Sequence, residues 1–445
     1  MQIRSSLSQL WRESRANPGF TALYIGGVAF AVAFTMIYAI IYYVNLAPLY
    51  PEYNRADTSY ISFIQVRNDS TSSTHGSLIS KKFIDDFIAG SENIEYCSIV
   101  LPTFGEASEI STKGNVGFKA VTKLIDQNFF RLYDYEFLAG QPFSDVEMDA
   151  EKPYFTIVTS DVAERVFGSA DNAIGQEILI DYEPYRVVGV VRRGTPVAHT
   201  SYGDLFIPYT IKPSSASDES GSLKDYLGPL AAYIKFRDGK QRERFMEEFN
   251  SKVSRAADPY GFKIQKAEVR SHFENVLGGD SVSNMIAFKD DSGNEIPLKN
   301  IIKSLITILF ILLIVPAINI SGMIGGQMDR RMAEIGVRRS FGATRGELTR
   351  RVMFENFVLT LTGGLVGFIF AWIIVTLCRR WMLQLLVSSW EVIDAPVDIS
   401  AELLFAPLIF LSALLLCLAL NLLSAYIPVR FALRRPIVNS LNTKR

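Results

Sequence analysis

No G-x-x-x-x-G-K-[ST] stretch occurs anywhere in the 445 residues, so these residues hold no P-loop to cradle a nucleotide phosphate. H-E-x-x-H, G-x-S-x-G and EF-hand loops are missing as well, which removes the common routes to metal-assisted hydrolysis, acyl transfer and calcium binding. Histidine is scarce: His75, His199 and His272 stand alone and read as surface or hydrogen-bonded side chains rather than ligands. Cys97, Cys378 and Cys417 lie far apart, two of them in apolar runs. No zinc spacing, C-x-x-C pair or disulfide framework can be built from them, and they read as small buried hydrophobes. Charge of one sign is also lacking. Forty-five Lys and Arg against 46 Asp and Glu leave a net charge of -1, which argues against a nucleic-acid binder that relies on bulk positive charge. Nothing points to a catalytic residue, a cofactor or a metal site.

What the chain does have is long apolar runs. Residues 20–46, 301–324, 352–377 and 403–427 each meet the roughly 20 residues needed to cross hydrocarbon as a helix. The first is longer than the apolar core of about 7 to 15 residues in a signal peptide and has no clear small-x-small cleavage site, so it reads as an uncleaved anchor. Interruptions are few: Lys303 and Glu355 near edges, Pro316 and Pro407 inside. Membrane helices tolerate such prolines when neighbours satisfy the freed carbonyls. Orientation follows from the flanks, because Lys and Arg in short loops favour the cytoplasmic side. Residues 1–19, 325–351 and 428–445 together carry 15 basic residues against 4 acids, whereas residues 47–300 hold 27 basic and 37 acidic ones. The loop 378–402 holds Glu391, Asp394, Asp398 and Glu402, with Arg379 and Arg380 against the trend but able to snorkel to headgroups.

The expected fold is therefore a membrane protein with four transmembrane helices and a large α+β extracytoplasmic domain, residues 47–300, between helices one and two. A cytoplasmic arm, residues 1–19, places Ile3, Leu7, Leu10 and Trp11 at helical spacing, which suits an amphipathic helix on the inner leaflet or a contact with a partner subunit. In the outer domain Tyr60–Val66, Ile94–Val100 and Tyr185–Val191 read as strands, the last after a turn at Asp181-Tyr-Glu-Pro184. Ser160 is placed to cap a helix ending at Gly168, Gln241–Ala256 carries Phe245, Met246, Phe249 and Val253 at helical spacing, and Lys212–Asp225 has the composition of a mobile loop. Pro48, Pro51, Gly278-Gly279 and Asp291-Ser-Gly293 predict that any stalk above the membrane is short.

The inner loop, residues 325–351, is the informative one. Asp329–Ser340 suits a short helix, Gly342 can end it in the left-handed conformation, and Thr344-x-x-Glu347 forms a capping box for the next helix. The product is a basic helical elbow with Met332, Ile335, Val337 and Phe341 as an expected apolar face. From these residues alone it is equally a topology anchor or a docking element. Glu355, four residues after Arg351, reads as half of an interfacial ion pair. Asn45, Asn319 and Asn421 can hydrogen-bond between helices, and Gly363, Gly364 and Gly367 allow close helix approach.

Residues 331–355 resemble the MacB-like and FtsX-like permeases of ABC transporters: Glu334-Ile335-Gly336, then Arg338 and Arg339, a turn of Gly342, Ala343, Arg345 and Gly346, and Glu355. Asn319 with Ile320, and Tyr426-Ile-Pro-Val-Arg430 with Ala432 and Pro436-Ile437, are similar to that family's pattern, without the usual glycine before the tyrosine. Phe129-Phe130, Phe137-Leu-Ala-Gly-Gln-Pro-Phe143, Ile157-Val-Thr-Ser160, Ala163, Phe167-Gly168, Ile174-Gly175 and Tyr185–Val190 resemble a MacB-type periplasmic core, with Gln141 where the family has arginine. The resemblance implies four helices, a dimer of two such chains or of this one with a paralogue, and ATP hydrolysis on a separate ABC ATPase subunit that docks at the elbow. It also implies a bacterial inner-membrane location with both termini cytoplasmic, and leaves room for a periplasmic adaptor or outer-membrane channel. Two functions stay open. One is export or extraction of an envelope substrate by motion passed to the outer domain; the other is FtsX-like regulation of an extracytoplasmic hydrolase or sensor.

Overall fold

The computed structural model describes residues 15, 17–68, 71–102, 107–112, 117–144, 148, 154–198, 200–211, 222–256, 260–277, 298–378 and 407–434. The arm residues Ile3, Leu7, Leu10 and Trp11, the acids of the outer loop, His199, residues 212–221, the breaks at 278–279 and 291–293, and Pro436-Ile437 lie outside the described residues. The chain forms two compact units: Met1–Tyr43 with Ile302–Met382 and Ile399–Arg445, and Val44–Ile301 with Leu383–Asp398.

The first unit is helical. Helix α1 runs Pro18–Leu46 and ends before Pro48, as its sequence predicts. Among the described residues, three stretches are long and apolar enough to cross a membrane: Pro18–Val44, Arg345–Leu377 and Pro407–Arg434. The remaining expected run, residues 301–324, lies in a continuous helix, Leu298–Arg330. The last helix passes the expected end at Ile427 and carries Pro428 inside it. Pro428 has no N–H, so the Ser424 carbonyl four residues earlier loses its helical donor. Ser321, on Leu298–Arg330, supplies the replacement: its hydroxyl donates to Ser424 O at 3.1 Å, and the Ser424 hydroxyl donates back to Ala317 O at 2.6 Å.

The second unit is built on strands β1 Thr58–Ile61, β2 Ile64–Asn68, β3 Ser73–Ile79, β4 Tyr96–Leu101, β5 Ala107–Ser111, β6 Phe118–Ile125, β7 Phe137–Gly140, β8 Phe155–Thr159, β9 Glu177–Ile180, β10 Glu183–Val191, β11 Leu205–Pro208, β12 Leu227–Gly228, β13 Ala231–Lys235, β14 Phe262–Ala267 and β15 Arg270–Ser271. The helices between them are α2 Lys81–Phe87, α3 Phe129–Leu132, α4 Ser160–Phe167, α5 Ala170–Ala173, α6 Gly239–Arg255 and α7 His272–Leu277. Eleven strands form one sheet, and because β11 pairs with both β8 and β6, the strands β11, β8, β10, β9, β5 and β6 close into a ring. β4, β13, β1 and β15 continue outward from β6, and β12, β3, β2 and β14 make a second sheet.

Side-chain period decides the layering. On β8, Ile157 packs into an aromatic cluster with Phe129, Phe130, Tyr133, Tyr135, Phe143 and Phe206, while neighbouring Val158 points to the opposite core with Val162 and Ala163 of α4. A strand buried on both faces reads as an unbroken apolar run, which is why Tyr185–Val191 was legible. Phe129, Phe130 and Phe143 of the motif are thus core packing, whereas Leu138 and Gln141 are exposed. Against β1, β4 and β13 a third core sets Phe83 and Phe87 of α2 on Phe245 and Phe249 of α6.

Several expectations need correction. The single strand Tyr60–Val66 is two, β1 in the large sheet and β2 in the small one, with residues 62–63 handing the chain across. Ser160 is the first helical residue rather than the cap; Thr159 holds that position without a side-chain bond, and Ser160 bonds Asp161 instead. Gly168 does end α4, at φ 82°. Helix α6 starts earlier than expected because Asp238 caps it by accepting from Gln241 N. Within the stretch predicted as a loop, Leu223–Tyr226 forms a 3-10 turn capped by Ser222, with Leu223 and Asp225 buried. The turn at Asp181-Tyr182 is as expected: both residues have positive φ, 49° and 69°, joining β9 to β10.

Candidate functional site

The elbow is built from local rules. Continuing in chain order, α8 is Leu298–Arg330, α9 is Met332–Ser340, α10 is Arg345–Leu377 and α11 is Pro407–Arg434. The break between α8 and α9 falls at Arg331, whose φ of -90° and ψ of 2° leave the helical region, so Asp329 and Arg330 belong to α8 and not to the elbow helix as expected. At the far end Gly342 takes φ 93°, donating its N–H to Arg339 O while Ala343 N donates to Arg338 O, both at 3.1 Å. These are the two bonds of a Schellman stop. Thr344 then opens α10: its hydroxyl accepts from Glu347 N at 3.2 Å, and Glu347 Oε2 accepts from Thr344 N at 3.0 Å. Both ends of the turn are therefore fixed by the chain itself.

The expected apolar face divides in two. Met332 and Ile335 are buried, with Gly336 beside them, whereas Val337 is half exposed and Phe341 is 89% exposed. The spacing explains it, since 337 and 341 share a face one turn apart while 332 and 335 share another. Phe341, Arg338, Gly342, Ala343, Glu347, Leu348 and Arg351 line a shallow recess of about 480 Å³. Arg338 pairs with Glu334 one turn earlier at 2.5 Å, and Arg339 donates to Leu433 O of α11 at 3.5 Å. Arg345 and Gly346 stand exposed on the first turn of α10, and a Cβ at Gly346 would meet nothing within 4 Å. So Arg338, Gly342 and Ala343 converge on the recess, Glu334 orients one of them, and Ile335 and Gly336 lie buried.

The comparisons with known proteins bear on both units. Residues 21–252 match the profile of the MacB-like periplasmic core domain, and residues 306–437 that of the FtsX-like permease C-terminal region. The chain belongs to the MacB/FtsX-like family of ABC-transporter permeases. Among curated relatives, the macrolide export ATP-binding/permease protein MacB of Photorhabdus laumondii is 22% identical over 330 residues, covering 74% of this chain and 44% of that protein. The ABC transporter permease YknZ of Bacillus subtilis is 24% identical, covering 59% of this chain and 56% of that one. The periplasmic region of MacB from Actinobacillus actinomycetemcomitans shares 15% identity over 46% of this chain and 88% of that one, with a TM-score of 0.30. This chain spans about half the length of the curated relatives it matches.

In this MacB/FtsX-like chain the glycines of α10 lie against neighbouring helices. A Cβ on Gly363 would lie 2.7 Å from Val28 Cβ and one on Gly367 2.5 Å from Ala29 O, so α1 and α10 touch backbone to backbone; Gly364 stands against Leu414 of α11. Tyr24 and Thr360 share a hydrogen bond of 3.0 Å across the same seam. Asn421 is buried but bonds Cys417 on its own helix; the side chains of Asn45 and Asn319 lie outside the described set.

Glu355 is where sequence reasoning chose the wrong partner. The carboxylate, 8% exposed, takes both oxygens to Arg331: Nη1 to Oε2 at 2.9 Å and Nη2 to Oε1 at 3.1 Å. Arg351 is only one turn away in sequence, but the break at Arg331 aims that guanidinium at α10. A bidentate pair of this kind fixes direction as well as charge. It ties the α8–α9 junction to α10, and no local signal announced it.

Three further clusters were also missed. Asp126, buried under α3, accepts from Ser98 Oγ at 2.7 Å and Phe129 N at 3.2 Å, and burial still pushes its carboxyl up to about 6. Arg193 reaches Asp161 at 2.7 Å and Tyr202 at 3.1 Å, beside Asp204, whose carboxyl is raised by burial. His272 is satisfied, as expected, but by a buried partner: its Nδ1 lies 3.1 Å from Tyr60 Oη. Among the described residues no group of three metal-ligating side chains comes together.

Proposed function

We propose that this chain is the membrane subunit of an ABC transporter in which a separate ATPase subunit docks at the elbow and its hydrolysis is passed to the outer domain, where an envelope substrate is exported or extracted. The observation that carries this is the elbow's construction. Phe341 and Val337 stand out from a turn locked by a Schellman stop and a capping box, with Arg338 and Arg351 lining the recess beside Phe341. A rigid apolar knob beside arginines suits insertion into an apolar partner groove with acidic groups at its rim. A mere topology anchor would need charge alone, with no fixed shape. Behind the knob, Arg331–Glu355 and Arg339–Leu433 lead into α10 and α11.

The 15-to-4 basic excess in the three inner flanks supports cytoplasmic termini and an elbow facing the ATPase, with residues 47–300 outside. A second permease chain, identical or a paralogue, would complete a twofold complex with a pair of ATPases. The reading places an adaptor or outer-membrane channel at the outer domain, whose size favours envelope transport over hydrolase regulation. Affinity purification of the intact complex from its native membrane, with identification of the bound chains, is the test. An ABC ATPase should co-purify in about equal amount, and should be lost when Phe341→Glu is introduced. Retention of the ATPase by that variant would remove the elbow as its dock, and absence of any ATPase would remove the coupling reading.

A further inference from the structure

The last turn of α1 belongs to the outer unit, which begins at Val44. A helix end leaves carbonyls without intrahelical donors, and chains commonly satisfy them with a glycine turn or water. Here the donor is a buried guanidinium. Arg55 reaches back to donate Nη1 to Val44 O at 3.0 Å and to Ala47 O at 2.6 Å, and its Nε bonds Glu52 Oε2 at 2.7 Å. Both partners are out of water, Arg55 at 3% and Glu52 at 1% exposure.

Glu52 is held in turn. Its Oε1 accepts from Ser201 N at 2.8 Å and from the Thr200 hydroxyl. Thr200 also accepts from Tyr60 Oη at 3.5 Å, and Tyr60 Oη lies 3.1 Å from Nδ1 of His272. Tyr60 sits on β1, which joins the large sheet, and His272 opens α7, the described element that precedes α8 in the chain. Around this line the strap 49–55 is pinned by further bonds: Tyr50 Oη donates to Arg192 O at 3.0 Å and accepts from Glu136 N at 3.1 Å, and Asp134 N donates to Pro51 O at 3.0 Å.

Burying an ion pair is an expensive way to end a helix, because each ion loses its hydration and the pair recovers that only with good geometry and full hydrogen bonding. What it adds is direction. A planar guanidinium bonded on two edges fixes the orientation of the groups it joins, which a lysine or a water cannot do. We propose that Glu52 and Arg55 form a clamp that makes the last turn of α1 move as one body with the large sheet, so that a tilt of α1 becomes a displacement of the outer domain. The clamp rests on the coupling reading above and names where that coupling enters the sheet. Thr200 and Tyr60 are positioning residues in it, and the Tyr60–His272 bond gives the start of α7 the same anchorage.

The test uses the complete complex in nanodiscs, with Glu243→Cys on α6 of each outer domain carrying a nitroxide and Cys378→Ser removing the exposed native thiol. The separation of the labels is measured without nucleotide and with vanadate-trapped ADP, in the otherwise unsubstituted complex, in Arg55→Lys and in Thr200→Val. Arg55→Lys keeps the charge but loses the fork; Thr200→Val removes one bond to Glu52 and leaves the ion pair. The clamp predicts that nucleotide-driven displacement falls by roughly half or more in Arg55→Lys, while ATP hydrolysis is kept. A purely structural role would lower the unfolding temperature and leave the displacement of the folded complex unchanged, which would overturn the clamp and leave the coupling reading standing. Where Arg55→Lys does not assemble, Thr200→Val decides by the same criterion. No displacement in the unsubstituted complex would overturn the coupling reading and the clamp together.

Discussion

Gly367 sits where α10 has no room for a side chain, because the atoms a Cβ would meet are the backbone of Ala29 at 2.5 to 3.1 Å and cannot rotate away. Gly367→Leu should therefore push α1 off α10 and cost about 1–3 kcal/mol, in the range of overpacked cores. Gly322→Ala on α8 is the control, since nothing lies within 4 Å of its added methyl. Thermal unfolding in detergent should drop for the first and stay level for the second; equal midpoints would mean that the glycine seam is not a packing contact. Asp126 makes a prediction of a different sort. Its carboxyl titrates near 6 in the folded chain, above the ordinary 3.8, because burial outweighs the bonds from Ser98 and Phe129. A raised folded pKa means that the folded state holds the proton more tightly, so this group's contribution is fully present below about pH 4 and is lost as pH rises through about 6. The loss is at most on the order of 3 kcal/mol, two units at about 1.4 kcal/mol each. Asp126→Asn should flatten that portion of the stability profile between about pH 4 and pH 7, read as denaturation midpoints of the full chain. Parallel profiles would take Asp126 out of the account.

Among the elements, the elbow was the most legible and the reason is its locality. Gly342, Thr344 and Glu347 act on backbone within four residues, so a sequence window contains both halves of each interaction. Replacing both Arg338 and Arg339 by glutamate changes the charge of the elbow by four and sets a second carboxylate one turn from Glu334, where the ion pair now stands. If the elbow docks the ATPase, hydrolysis in the reconstituted complex should fall roughly fivefold or more, the scale of a coupling free energy of at least 1 kcal/mol. Insertion must be followed separately by protease protection, because the same arginines carry part of the topology signal. An unchanged hydrolysis rate in correctly inserted chains would return the elbow to a simple anchor. What the window could not contain is any pair closed by the fold. Glu355 finds Arg331 twenty-four residues back, and Glu52 finds Thr200 across 148. Sequence spacing favoured Arg351 for the first and offered nothing for the second. The strand order has the same limit, since closing the ring needs β11 beside β6, a pairing of Leu205 with Thr122 that neither segment's pattern encodes.

At the scale of the molecule, apolar runs and charge carried most of the information because the bilayer reads them without regard to tertiary contacts. Orientation is the whole-chain expectation that charge makes. The elbow loop holds seven arginines against three acids, the tail five basic residues and no acid, and the arm three arginines against one acid, while residues 47–300 carry a net charge of -10. Arg379 and Arg380 oppose the pattern, but two arginines at a helix end can reach the headgroups by snorkelling. Alkaline phosphatase joined after residue 220 should therefore be active, since the enzyme folds only outside the cytoplasm, and one joined at the carboxyl end should be inactive. Substituting the three arm arginines alone should leave both results in place, because twelve of the 15 basic flank residues remain. An inactive fusion at 220, or an active one at the carboxyl end, would turn the chain over. The elbow would then face away from cytoplasmic ATP, and the coupling reading would lose its geometry along with the orientation.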